Sequence, residues 1–276
     1  MSQKKHVIIG PTASGKSALS IEIALHQSAE IISADACQVY KEFNIGTGKL
    51  TLAEMKGIPH HLIDIIEPTQ AFSVQCFLDH VSEIFKSNSR PIIICGGSAM
   101  YIKALLYGYH PLQRLPLEQR PQGEPKDLWN QLKAVDPLLA DKTPYQNMPR
   151  VQRYLELHKI YHIPPSQLFS SKPFDASKYK VTGILIEKEP LKDRINDRVN
   201  QMIAKGLVDE VKYLMEKYDI TSPAFQAIGY KEVIQYFKKQ YDKDTMIQKI
   251  KQHSYQYAKR QMTWFRTFDN VQWISK

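Results

Sequence analysis

Apolar and polar positions come in blocks along the first hundred residues. "HVIIG" (6–10), "EIIS" (30–33) and "PIIIC" (91–95) are short continuous apolar runs rich in β-branched residues. Runs of that length and composition predict strands buried on both faces. Between them the period changes. "SVQCFLDHVSEIFKSN" (73–88) spaces Val74, Phe77, Leu78, Val81, Ile84 and Phe85 at i, i+3, i+4. That is one face of an amphipathic helix. "ALSIEIALHQ" (18–27) and "SAMYIKALLYG" (98–108) also read as helices, each following a strand. Strand–helix alternation of this kind predicts an α/β fold, a parallel sheet covered by helices on both sides.

The pattern breaks at about residue 111. "PLQRLPLEQRPQGEPK" (111–126) is rich in Pro, Gln and charge, and helical pieces follow at 127–135, 150–161 and 166–169. We read 111–175 as a mainly helical insertion between a core of 1–110 and its continuation, 176–276. "YKVTGILIE" (179–187) returns to strand. A helical stretch from Pro190 is punctuated by Gly206, a stop or hinge. A long helix over about 243–267 and the short strand "VQWI" (271–274) finish the chain.

Composition narrows the class. At 43% hydrophobic and 24% charged, the 276 residues read as a soluble globular protein, and no apolar run approaches the roughly 20 residues that span a bilayer. "MSQKK" runs straight into a strand, so no signal peptide is expected. Cys37, Cys76 and Cys95 form no CxxC pair, which predicts reduced, buried thiols and a cytoplasmic location. Net charge is +9, and residues 191–276 hold 16 Lys+Arg against 10 Asp+Glu. A basic excess there suits a polyanionic partner.

"GPTASGKS" supplies the chemistry. Gly10, Gly15, Lys16 and Ser17 have phosphate-loop spacing and stand between a strand and a helix, the context the motif requires. Backbone N–H groups of such a loop and the helix N-terminus attract anionic oxygens. Lys16 brings a point charge, and the Ser17 hydroxyl is placed to ligate Mg²⁺. The motif specifies a diphosphate or triphosphate without saying whose. A nucleoside triphosphatase would carry a second strand ending in Asp, but "PIIIC" ends in Gly96-Gly97. Asp35 instead follows "EIISA", at the carboxyl end of its strand, where α/β sheets bind ligands. That carboxylate is a candidate base or a metal ligand through water.

Other groups invite chemistry and have plainer readings. His60 and His61 are adjacent in a strand-like stretch, so they face opposite ways and cannot readily share an ion with each other or with Asp64. His158 and His162 have HxxxH spacing without the Glu of a zinc protease. Arg194 and Arg198 share a helix face and could clamp an anion, while Asp193 and Asp197 allow a salt-bridged surface. "YQYAKRQMTWFR" (255–266) interleaves aromatic and basic residues, as RNA contacts do, over an apolar stripe that packs.

Eight segments in order resemble one family, the tRNA dimethylallyltransferases, also called tRNA isopentenyltransferases. They are "GPTASGKS", "IISADACQVYKEFNIGTGK", "GIPHHLIDI", "PIIICGGSAMYIKALLYG", "RVQRYLEL", "DRVNQMIAKGLVDEV", "AIGYKEVIQY" and "AKRQMTWFR". The resemblance implies transfer of a dimethylallyl group from its diphosphate to N6 of the adenosine just 3′ of a tRNA anticodon. It implies that Gly10, Pro11, Thr12, Ala13, Ser14, Gly15, Lys16 and Ser17, with Arg198, hold the diphosphate, and that Mg²⁺ sits on Ser17. It implies catalytic roles for Asp35, Ser98, Lys16 and Arg198. Further RNA contacts are implied for Asp35, Ala36, Cys37, Gln38, Ser98 and Arg120. They are implied also for Gln152, Arg153, Tyr154, Leu155 and Glu156, and for Ala227, Ile228, Gly229, Tyr230, Lys231 and Glu232. The partners implied are dimethylallyl diphosphate and a tRNA anticodon stem-loop, with no membrane and a monomeric enzyme.

The chain departs from the family pattern at Ala36 (usually Ser), Ser98 (Thr), Ser254-Tyr255 (Thr-Arg) and Gly48-Lys49-Leu50 within "GTGKL". It is one residue short between Asn147 and Arg150. Two other activities remain compatible with the loop: an adenylate isopentenyltransferase acting on a free nucleotide, and a small-molecule kinase.

Overall fold

In a computed structural model the described residues are 4–109, 112–169, 174, 175 and 177–276. Two compact units emerge, one formed by Met1–Tyr107 with Phe174–Lys276 and the other by Gly108–Pro173. The strands are β1 (Lys5–Ile9), β2 (Glu30–Ser33), β3 (His60–His61), β4 (Ile92–Gly96), β5 (Tyr179–Leu185) and β6 (Val271–Ser275). The helices run α1 (Lys16–Gln27), α2 (Leu52–Met55), α3 (Val74–Ser87), α4 (Ala99–Tyr107), α5 (Pro125–Val135) and α6 (Pro137–Asp141). They continue as α7 (Met148–Tyr161), α8 (Lys188–Ala204), α9 (Leu207–Lys217), α10 (Tyr230–Phe237) and α11 (Lys243–Phe265).

The first unit is one parallel sheet in the order β3-β2-β4-β1-β5-β6. Its central strands are buried because both faces are covered. Val7, Ile9, Ile32 and Ile94 join a core that runs on to Leu207, Tyr230 and Phe265, while Ile8, Ile31 and Ile93 pack with Ile21 and Ala24 of α1. The continuous apolar runs of the sequence follow from that two-sided burial. All strands point the same way, so the loops after β1, β2 and β4 gather at one edge. Those loops carry Lys16, Asp35 and Ser98.

The second unit packs α5, α6 and α7 around Leu128, Leu132, Ala140, Val151 and Leu155. Asp136 caps α6 through its contact with Leu139 N–H and also accepts from Ser166 N–H. No described helix is long and apolar enough to cross a membrane.

Candidate active site

A cavity of about 360 Å³ opens at the carboxyl ends of β1, β2 and β4. The phosphate loop forms one wall. Gly15, at φ +81°, is the N-cap of α1 and turns the chain through a left-handed conformation that a Cβ would strain. Ala13 adopts a similar φ of 61°. Among the described residues, the N–H groups of Ala13, Gly15, Lys16 and Ser17 have no protein acceptor. Together they form an anion cradle at a helix N-terminus. Thr12 is different: its N–H is already taken by Gln261 Oε1 at 2.8 Å.

Lys16 and Arg198 line the cavity, as do Lys231 and Arg260. Lys16 Nζ donates to Pro11 O at 3.2 Å, and Arg198 Nη2 to Thr47 O at 3.3 Å. Burial pulls the Lys16 ammonium below the ordinary lysine range, and the Arg198 charge acts the same way against the partial relief of Cys95 and Asp35. Burial likewise lowers Arg198, and Asp35 partly offsets it. Partly desolvated positive charges with only carbonyl partners are stabilised by an anion arriving between them. Arg194, one turn away on α8, is exposed, so the anticipated two-arginine clamp reduces to Arg198.

Asp35 lines the same cavity. Its Oδ1 accepts from Cys37 N–H at 2.8 Å, closing a small turn that fixes the carboxylate. Oδ2 has no hydrogen-bond partner among the described residues. Ser98 Oγ accepts from Ala36 N–H at 2.9 Å, joining the end of β4 to the loop after β2. Gln38 donates to Thr47 O and Gly48 O at 3.5 and 3.4 Å.

The cysteines depart from the buried-core expectation. Cys95 is buried, whereas Cys37 and Cys76 are half-buried, and both Cys37 and Cys95 line the cavity. Burial, with Asp35 beside it, pushes the Cys37 thiol up to about 12.

The segment 227–232 splits in two. Ala227, Ile228 and Lys231 line the cavity. Tyr230 and Glu232 lie behind them, 0% and 2% exposed. Glu232 accepts from Gly229 N–H and from His253 Nδ1, both at 2.6 Å, so it holds α10 against α11 and offers RNA no surface. In the second unit Gln152, Arg153 and Glu156 brace the 112–121 loop: Gln152 donates to Pro121 O, Arg153 to Leu112 O and Gln113 O, and Glu156 accepts from Leu115 N–H. Burial alone would raise the Glu156 carboxyl; Arg153, the Leu115 N–H and Arg120 hold it below its usual range. Leu155 is buried and Tyr154 stacks edge-on against Phe169. Arg120 is half-buried, its Nε on Leu115 O at 3.1 Å.

The histidines take bonding roles. His60 Nδ1 meets Ile58 O at 2.8 Å and His61 Nε2 meets Glu30 Oε2 at 2.6 Å, on opposite sides of β3. His162 is the C-cap of α7, out of register with His158. Among the described residues no group of three or more His, Cys, Asp or Glu side chains can hold a metal. Mg²⁺ has no need of one, because it keeps waters and binds through substrate phosphates with one or two protein oxygens. Ser17, on the cavity wall beside the cradle, fits that demand.

The sequence reading passed over Gln261, and took Tyr257 as an aromatic of the RNA-like stretch and of the packing stripe. Gln261 is 4% exposed and, besides Thr12 N–H, bonds Gly97 O at 2.9 Å. Tyr257 lines the cavity; burial and the nearby Asp35 and Cys37 push its phenol up, and Ser98 and Gln261 act the other way. Their signal was present: on α11, 257 and 261 are one helical turn apart, on the stripe that packs.

Residues 38–268 match the IPP transferase family. The chain is 41% identical to a tRNA dimethylallyltransferase of Acetivibrio thermocellus, over 98% of this chain and 91% of the relative. It is likewise 41% identical to one of Anoxybacillus flavithermus, over 99% and 91%. Two solved structures are similar. The full-length tRNA isopentenylpyrophosphate transferase of Bacillus halodurans superimposes with a TM-score of 0.73 at 34% identity, covering 99% of this chain and 90% of that one. A eukaryotic dimethylallyltransferase acting on tRNA superimposes with a TM-score of 0.83 at 28% identity, covering 99% and 74%. The α/β architecture expected from the apolar runs is therefore that of these enzymes, and the chain belongs to the IPP transferase family.

Proposed function

We propose that this chain is a tRNA dimethylallyltransferase, moving a dimethylallyl group from its diphosphate to N6 of the adenosine 3′ of a tRNA anticodon. The observation that carries the reading is one cavity holding Lys16, Arg198 and Asp35 beside free backbone N–H groups. The cations and N–H groups take the diphosphate. The N6 lone pair attacks the first carbon of the dimethylallyl group, the carbon–oxygen bond breaks, and its electron pair leaves on the diphosphate. Preorganised donors favour that step because they meet charge as it develops. Ser17 would hold Mg²⁺, which when bound would supply further positive charge for the diphosphate. Asp35 accepts a hydrogen bond from the amine, orients it, and takes the proton it sheds. Ser98 keeps the loop bearing Asp35 in place.

Reaching N6 requires the base to leave its stack and enter the cavity. Ala36, Cys37, Gln38, Ala227, Ile228 and Lys231 are the residues suited to line its path. Arg120 and the basic flank of α11 suit phosphate contacts to the anticodon stem-loop. Free thiols fit the reducing cytoplasm. A kinase is disfavoured by Gly96-Gly97 at the tip of β4, where such enzymes hold Mg²⁺ with an acid.

The test is mass spectrometry of anticodon stem-loop RNA incubated with purified protein, Mg²⁺ and dimethylallyl diphosphate. The expected product carries one five-carbon unit on the adenosine, and AMP under the same conditions stays unmodified. Prenylation of AMP alone, or transfer of the ATP γ-phosphate without prenylation, would overturn the reading.

A further inference from the structure

The loop after β2 makes a second anion cradle, and this one is filled from within the protein. Glu210, in the first turn of α9, accepts from three successive backbone N–H groups. Its Oε2 lies 3.2 Å from Asn44 N and 2.8 Å from Ile45 N; its Oε1 lies 3.3 Å from Gly46 N. Tyr230 OH donates to Oε1 at 2.6 Å. The ring of Tyr230 packs on Phe43, with centroids 4.7 Å apart. A carboxylate bonded by several backbone donors is held far more firmly than one in a surface ion pair.

The next residue of that loop is Thr47, whose carbonyl oxygen takes Arg198 Nη2. It is the guanidinium's one hydrogen bond among the described residues. Gln38 reaches the same carbonyl. Arg198 sits on α8 and Glu210 on α9, and among the described residues no hydrogen bond or ion pair joins them. The path between them is the loop backbone: carboxylate, N–H groups of 44–46, carbonyl of 47, guanidinium.

We propose that Glu210 is a positioning residue for diphosphate binding, acting through the 44–47 loop to aim Arg198 into the cavity. The inference rests on the reading that Arg198 contacts the diphosphate. Release of the loop lets the Thr47 carbonyl drift and leaves Arg198 to sample other rotamers. The donor site weakens, while RNA binding away from that loop does not. Glu42 offers a control within the same stretch. It ties the outer side of the loop to Tyr218 OH at 2.8 Å and Lys217 Nζ at 2.5 Å, and has no bond to residues 44–47.

The experiment compares E210Q, E42Q, R198A and the double variant E210Q/R198A by steady-state kinetics and thermal unfolding. An amide at 210 keeps one acceptor oxygen and turns an NH₂ group toward the remaining backbone N–H, so it cannot satisfy all three donors. The KM for dimethylallyl diphosphate should rise about tenfold in E210Q, the scale of a small misplacement at a binding group. KM for RNA should stay within about twofold, and the double variant should be no worse than R198A alone. E42Q should lower thermal stability and leave the donor KM unchanged. Unchanged donor KM in E210Q, equal effects in E210Q and E42Q, or multiplying penalties in the double variant would overturn the proposal. If R198A itself leaves donor KM unaltered, the assignment of Arg198 is what fails. Should E210Q not fold, Y230F removes one donor from the same carboxylate. A smaller rise in donor KM is then expected, and none would count against the inference.

Discussion

Gln261 accepts the Thr12 N–H at 2.8 Å, so a side chain of the last helix is bound into the phosphate loop. Its amide nitrogen donates to Gly97 O, so one buried residue ties the phosphate loop and the turn after β4 to the last helix. Gln261→Leu keeps the volume and strands both backbone groups. A loss of about 1–3 kcal/mol in unfolding free energy is expected, the cost of buried groups left unpaired. Donor KM should rise with it, because the loop loses its brace. Urea denaturation with donor titration reads both. Unfolding at the wild-type midpoint would show that water replaces the amide.

That brace was not legible in the sequence, and the reason is physical. Thr12 and Gln261 are 249 residues apart, and Ile45 and Glu210 are 165 apart. Hydrogen bonds of that kind leave no local period to read. The strands do leave one. "EIIS" is β2 to the residue, and the runs at 6–10 and 91–95 differ from β1 and β4 by one residue at each end. Continuous β-branched runs persist because both faces of the sheet are covered. The meeting of Lys16 and Asp35 at one cavity was legible for a related reason: both follow directly on those strands. Exposure was harder. Tyr230, Val233 and Ile234 form an i, i+3, i+4 stripe that marks Tyr230 as inward. Contact with RNA was expected for Tyr230 only because the whole segment 227–232 resembles an RNA-contacting stretch of the family, which says nothing of which of its side chains face outward.

Gly48 lies against the guanidinium of Arg198. It adopts φ +64°, and a Cβ built there would be 1.9 Å from Arg198 Nη2. Gly48→Ala therefore meets two penalties. The left-handed backbone costs about 1–2 kcal/mol for a residue with a Cβ. The guanidinium must also leave the position in which Thr47 O receives it. A higher donor KM and a lower melting temperature are expected together, by isothermal titration with the diphosphate and by calorimetry. Wild-type donor affinity would mean that Arg198 binds from a different rotamer.

Cys37 stands in the cavity, and its thiol titrates near 12 because of burial and the adjacent Asp35. Only about one part in ten thousand is thiolate at pH 8, and the thiolate is the nucleophile. Iodoacetamide at pH 8 should leave Cys37 unmodified in the folded protein and label it in urea. Labelling should rise about tenfold per pH unit above that, as long as the fold holds. Peptide mapping gives the result. Rapid alkylation of Cys37 at pH 8 would show that the thiol is solvated in the folded protein and not held neutral by burial.

Asp35→Asn separates the two jobs a carboxylate at that point performs. The amide oxygen still accepts from Cys37 N–H, so the turn survives. The charge and the capacity to accept a proton go. Loss of a positioned general base costs about 10²–10⁴ in rate, and turnover with stem-loop RNA should fall on that scale. Donor affinity has the opposite sign. Asp35 is the carboxylate nearest in effect to both Lys16 and Arg198, and it repels a diphosphate entering between them. Its neutralisation should leave donor KM unchanged or lower, while the RNA dissociation constant stays within about threefold. Single-turnover quench measurements at saturating RNA, with binding measured separately by filter retention, distinguish these quantities. A variant that binds RNA poorly and yet turns over at the wild-type single-turnover rate would make Asp35 a binding residue and leave the amine to be activated elsewhere.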